Sequence, residues 1–176
     1  MFAGLREIVA HGHWSVPPAE NGRPAPGLYL ALLSYNLSRS ELEALINRLK
    51  IYRDDLALLH QVSDLKQREA DLEQEYLSNH EIYALLRHSS SPALMILWLC
   101  TGSVRVRERL WYYETELRHV QTEVDGEYLK GLGLKPSPLF GKLLNAVRDA
   151  RLDGEIQTVE EEKALIARLL AERKKG

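Results

Sequence analysis

Four basic side chains, Lys135, Lys142, Arg148 and Arg151, surround or follow one proline-punctuated helix start, and together they are the chain's best candidate for holding an anion. The start lies within Leu132-Gly133-Leu134-Lys135-Pro136-Ser137-Pro138-Leu139-Phe140-Gly141. Pro138 suits the first position of a helix, and the N–H groups of Leu139, Phe140 and Gly141 then have no carbonyl one turn earlier. Such N–H groups can donate to a phosphate, with Lys135 and Lys142 on either side and Arg148 and Arg151 further along. A bare backbone at Gly141 permits close approach of a ligand. It equally permits close packing of another helix, so a packed helix–turn–helix accounts for the same glycine.

Other arrangements that could carry chemistry read more simply as structure. Two-metal nucleotidyl transfer needs paired carboxylates, commonly Asp-x-Asp, and that pattern is absent from the sequence. Asp125-Gly-Glu127 falls at a predicted helix start and Asp153-Gly-Glu155 at a helix stop, where capping explains both. Asp54-Asp55 likewise suits a helix N-terminus. His11 and His13 have no further ligand nearby, and His60, His80, His88 and His119 are isolated helix-end or surface residues, so no metal site is assigned. Neither a glycine-rich phosphate loop nor a P-loop lysine is present. Arg105, Arg107 and Arg109 precede Trp111, Tyr112 and Tyr113, a mixture that can grip single strands. Arg105 and Arg109 share a helix face while Arg107 does not, and Glu108, Glu114 and Glu116 intervene. The stretch therefore reads as a solvated face.

The elements that must position the basic residues are marked by caps. Asp125 opens a short helix through Tyr128, Leu129 and Leu132, and Gly133 takes the left-handed position after it. The next helix runs from Pro138 to about Asp153, with Phe140, Leu143, Leu144, Val147 and Leu152 as its stripe, and Gly154 ends it. Thr158 and Glu161 have capping-box spacing and open a last helix through Leu165, Ile166, Leu169 and Leu170. Upstream, Phe2 to His11 is a short amphipathic segment carrying Leu5, Ile8 and Val9, and 12–27 is a proline-rich loop. Leu28–Leu33 is an apolar helix, and Ser38 with Glu41 and Ser78 with Glu81 form further capping boxes. Asp54 or Asp55 begins a long helix through Leu56, Leu59, Val62 and Leu65, whose charged second half, Lys66 to Glu75, is expected to project into solvent. Ser91 and Pro92 open a buried helix to Cys100, and Val104 to Val120 forms another. Strand alternation is absent. The expectation is an all-α chain, a compact bundle or superhelical array of about eight to ten short helices. Its expected division is an N-terminal helix and linker (1–27), a helical body (28–123) and a helical tail (124–176).

Composition narrows the class further. The chain has 176 residues with 23 basic and 25 acidic side chains, so an RNA site must be a local patch rather than a global charge. A single cysteine, Cys100, excludes a disulfide framework and suggests a small buried side chain in a reduced, cytoplasmic setting. The apolar run from Ala93 to Cys100 is too short to cross a bilayer, and the N-terminus lacks a secretory pattern.

The order of these pieces resembles the C-terminal body and tail of bacterial class II tRNA nucleotidyltransferases, the CCA-adding enzymes and related poly(A) polymerases. The matching residues run from Leu28-Tyr-Leu-Ala-Leu-Leu33 through Arg48-Leu49, Ser78-x-x-Glu81-x-Tyr83-x-Leu85-Leu86, Val104-x-x-Arg107 and Leu117-Arg118-x-Val120 to the closing run Leu132–Glu162. The family usually has Gly where this chain has Ser137, and Asp where it has Tyr128. The resemblance implies a tRNA partner, for which the basic cluster read above, Lys135, Lys142, Arg148 and Arg151, is the candidate grip, and no catalytic residue within this chain. It places the magnesium and the nucleotide chemistry in a catalytic head elsewhere, on the same polypeptide or a partner chain. The other reading is a helical protein-interaction or homo-oligomerisation module without RNA binding.

Overall fold

The computed structural model describes residues 5, 14–16, 24–51 and 53–173, the side chains of 53 and 54 excepted. Among the described residues there are ten α-helices whose bounds are defined, one 3-10 turn and no strand, so the chain is all-α. In chain order the helices are α1 (Pro26–Ser34), α2 (Arg39–Leu49), α3 (Arg53–Gln67), α4 (Glu69–Glu73) and α5 (Asn79–Leu86). They continue as α6 (Ser91–Cys100), α7 (Val104–Thr115), α8 (Gly126–Gly131), α9 (Pro138–Leu152) and α10 (Val159–Arg173), with the 3-10 turn at Leu117–His119. The chain divides into two compact units: residues 1–77 with 85–115, and residues 78–84 with 116–176.

The first unit is built around α6. Its sequence, SPALMILWLC, has no polar face, which suits a helix buried on all sides. Ala93 to Leu97 are all solvent-inaccessible. Helices α1, α3 and α7 pack on α6, through Leu28, Ala31 and Leu32, through Leu59, Val62 and Leu65, and through Val106, Leu110 and Tyr113. The start of α1 lies so near α3 that a Cβ on Gly27 would fall 1.9 Å from the Asp55 Oδ1. The expected amphipathic segment at 2–11 lies outside the described residues apart from Leu5, which is buried. Of the loop expected at 12–27, residues 12, 13 and 17–23 lie outside the described ones, and Pro26 and Gly27 belong to α1 instead, Pro suiting a helix's first positions. Trp14 is 3% exposed and sits 6.3 Å from the Trp98 ring and 6.1 Å from Trp111.

The charged stretch from Lys66 to Glu75 does not project. The helix stops at Gln67, and α4 turns back so that Leu72 is completely buried. The cause is polar as well as apolar, because the charges here have partners inside the unit. The Lys66 Nζ donates to the Tyr35 carbonyl at 2.8 Å, and the Arg68 guanidinium donates to the Leu85 carbonyl at 2.9 Å. Glu69 accepts from the Thr101 and Tyr35 hydroxyls, and Glu73 accepts from the Ser103 hydroxyl. Burial, with the neighbouring Glu69 charge, holds the Tyr35 hydroxyl protonated far above its ordinary range. Helix α7 is also shorter than its apolar pattern suggests, ending at Thr115.

All three capping boxes form. The Ser38 and Ser78 N–H groups each donate to the glutamate three residues on at 2.8 Å, and the Thr158 N–H donates to Glu161 at 2.9 Å. Hydrogen bonds from the Ser38 side chain and backbone hold the Glu41 carboxyl below its usual value. Those from Ser78, and from Gln157 and Thr158, do the same for Glu81 and Glu161. A carboxyl lowered in the folded state contributes stability above its unfolded pKa and loses it as pH falls through the lower folded value. Helix content is therefore expected to decline as pH drops below about 4.3, and Glu161→Gln, which keeps the acceptor oxygen, is expected to flatten part of that decline in far-UV circular dichroism.

Candidate nucleic-acid interface

The second unit presents the candidate site. Asp125 caps α8, its Oδ1 accepting from the N–H groups of Glu127 at 2.9 Å and Tyr128 at 3.0 Å. Gly133 follows with φ +78°, and Leu134 N–H returns to the Leu129 carbonyl at 3.3 Å, closing the helix end as the left-handed motif requires. Gly154 does the same after α9, with φ +75° and a 2.9 Å bond from Glu155 N–H to the Ala150 carbonyl. Between these ends, Val124, Leu129, Leu143, Val147 and Ile166 form a small core joining α8, α9 and α10.

At the α9 start, Ser137 is extended, with φ −162° and ψ 168°, and Pro138 takes an opening position. That backbone is accessible to any residue, so the position needs no glycine. The Phe140 N–H already donates to the Ser137 carbonyl at 2.9 Å, so it is not one of the free donors expected from the sequence. A Cβ on Gly141 would meet nothing within 4 Å, which removes the close-packing explanation for that glycine.

The four predicted cations separate. Lys135 is exposed on the turn before α9, and Lys142 is exposed one turn into it. Lys142 lines an open cleft of about 470 Å³ together with Ser137, Pro138, Leu139 and Arg173. Arg173 ends α10 and was not among the candidates read from the sequence. It could have been found from spacing: α9 and α10 are both 15 residues long and joined by a short turn, so the end of one returns beside the start of the other. Arg148 instead lies over the Tyr83 ring, 5.9 Å from its centre. Arg151 is 3.0 Å from the Glu162 Oε1. Glu162 has no solvent exposure, and its Oε2 accepts from the N–H groups of Glu123 at 3.0 Å and Val124 at 2.9 Å. Arg151 thus balances a buried carboxylate that fixes the chain just before α8.

The arginines of α7, in the first unit, are structural in a way the sequence did not show. Arg105 donates to the Glu73 carbonyl, and Arg109 donates to those of Leu72 and Gln74, so the two close the end of α4. Arg107 donates to the Trp98 and Thr101 carbonyls at the end of α6 and lies 5.7 Å from the Trp98 ring centre. Guanidinium groups at helix C-termini satisfy orphan carbonyls and oppose the negative end of the dipole. Cys100 is half-buried, and burial with the Glu69 charge pushes its thiol up to about 11, so it is not a nucleophile at neutral pH.

The carboxylates of the two Asp-Gly pairs are engaged separately. Glu127 pairs with Lys130 at 2.6 Å, and Asp153 faces His80. Among the described residues no group of three or more His, Cys, Asp or Glu side chains is arranged to hold a metal ion. No described helix is long and apolar enough to cross a membrane.

No protein-family model matches the chain, and no solved structure does. Over 109 residues it is 34% identical to an A-adding tRNA nucleotidyltransferase of Geobacter sulfurreducens. The overlap takes in 62% of this chain and 12% of the length of that protein. The chain is thus similar to one stretch of that protein and spans only a small part of its length.

Proposed function

We propose that the chain holds tRNA or a tRNA-like RNA for nucleotide addition by a catalytic head that lies elsewhere, on the same polypeptide or on a partner chain. The body (28–123) and tail (124–176) then correspond to the C-terminal helical part of the related enzymes. The observation that carries this reading is the 34% identity over 109 residues to an A-adding tRNA nucleotidyltransferase. The RNA backbone is proposed to lie at the cleft at the open end of the α9–α10 pair, a reading supported by Lys142 and Arg173 lining it and by exposed Lys135 on the preceding turn. Cations there neutralise phosphates and release condensed counterions, which gives affinity without base specificity. The near-neutral total charge confines this attraction to the patch.

The competing reading, a protein-interaction module, rests on the near-neutral charge and on the charged stretch at 66–75, of which Lys66, Arg68 and Glu69 are engaged within the first unit. The deciding measurement is fluorescence anisotropy of labelled tRNA titrated with the full chain at rising salt. Binding is expected at low salt, with log affinity falling by about 0.7–0.9 per phosphate contact per decade of salt. An anisotropy that stays flat at low salt rejects the proposal.

A further inference from the structure

His80 and Asp153 are 73 residues apart, and the sequence treats one as an isolated histidine and the other as a helix stop. In the second unit they meet. The Asp153 carboxylate is divided between two donors of the same residue: Oδ1 accepts the His80 backbone N–H at 2.9 Å, and Oδ2 lies 2.5 Å from the His80 ring Nδ1. Next to them, the Asn79 amide donates to the Leu152 carbonyl at 2.8 Å. The two helix ends therefore cap each other. A carboxylate from the α9 end sits at the α5 start, and an amide and imidazole from the α5 start sit at the α9 end.

We propose that the His80–Asp153 pair is a protonation-dependent latch that holds residues 78–84 against the C-terminal end of α9.

The groups facing the imidazole favour its charged form. From α9 these are Asp153 and Asp149, and from its own segment Glu81, with the Ser78 hydroxyl 3.0 Å from the same ring nitrogen. The cations of this end of α9 are engaged elsewhere, Arg148 over Tyr83 and Arg151 on Glu162. The hydrogen bond to Asp153, against some loss of hydration, raises the His80 pKa above its ordinary value. A histidine raised in the folded state contributes stability that is fully present below its unfolded pKa, about 6.5, and lost as pH rises through the folded value. Neutral His80 with the proton on Nδ1 still donates to Asp153, so the latch loosens in alkali rather than disappearing.

The test uses the full chain. His80 is followed by NMR through its ring signals while amide exchange of residues 80–83, corrected for the intrinsic rate, is measured across the same pH range. His80 is expected to titrate above about 6.5, and amide protection is expected to fall with the same midpoint. Asp153→Asn keeps an oxygen for the backbone N–H but loses the charge. It is expected to lower the His80 midpoint and remove the pH dependence of protection. An unchanged midpoint in Asp153→Asn, or protection that is flat across the wild-type titration, overturns the latch. If Asp153→Asn fails to fold, coincidence of the two wild-type midpoints decides the matter alone, and separate midpoints reject it.

Discussion

Glu162→Ala is expected to destabilise the second unit by about 3 kcal/mol or more, a larger effect than any surface substitution in the chain. The residue is fully buried and has three obligations: the Arg151 guanidinium on one oxygen, and the N–H groups of Glu123 and Val124 on the other. Alanine leaves Arg151, itself 25% exposed, beside an apolar core without its counter-charge, and leaves the two N–H groups without an acceptor. Each unpaired buried donor costs about 1–3 kcal/mol, so the charge need not carry the whole effect. Glu162→Gln retains an oxygen for the backbone and is expected to cost visibly less. Arg151→Met strands the carboxylate and is expected to fall near alanine at 162, because breaking a buried pair from either side is expensive. Urea unfolding followed by circular dichroism reads all three. The tryptophans, at 14, 98 and 111, belong to the first unit, so a transition seen by dichroism and not by tryptophan emission assigns the loss to the second. A Glu162→Ala curve within about 0.5 kcal/mol of wild type rejects the argument.

That pair also shows what sequence reading could and could not reach. Helix ends are local: Ser38 and Glu41, Ser78 and Glu81, Thr158 and Glu161, Gly133 and Gly154 are each decided by neighbours within one turn, and the structure places them as expected. Apolar stripes are nearly as local, which is why Leu143, Val147 and Ile166 could be placed inward. Charges were the failure, because a charged side chain announces its type and not its partner. Lys66, Arg68, Glu69 and Glu73 read as a solvated helix and instead hold α4 in place through bonds to residues 17 to 32 positions away. Arg105 and Arg109 gave the same misleading signal, as their partners are carbonyls some 32 to 37 residues upstream. Asp153 could be read as a stop but not as the partner of His80. At the candidate site, spacing identified the α9 start and its two lysines. It could not tell a cation left to solvent, such as Lys142, from one bound into the fold, such as Arg151, because both follow the same helix.

The separation of those cations makes the RNA proposal sharp enough to fail. Lys142→Ala with Arg173→Ala is expected to weaken tRNA binding about 100-fold near 0.1 M salt, since each phosphate contact contributes roughly one decade there. It is also expected to flatten the dependence of log affinity on log salt by about 1.4–1.8, the amount two lost contacts carry. Unfolding is expected to be unchanged, because both side chains flank an open cleft and are exposed. Adding Lys135→Ala is expected to remove a further part of the slope. Arg151→Met serves as the contrast: it reduces binding only as far as it unfolds the second unit, so at temperatures where that variant remains folded its salt slope stays that of wild type. The prediction separates two causes of weak binding, loss of contact and loss of structure, that a single affinity would confuse. A double variant that binds with wild-type affinity and wild-type slope removes the cleft from the interface. An Arg151 variant that is folded yet shallow in slope returns that arginine to it.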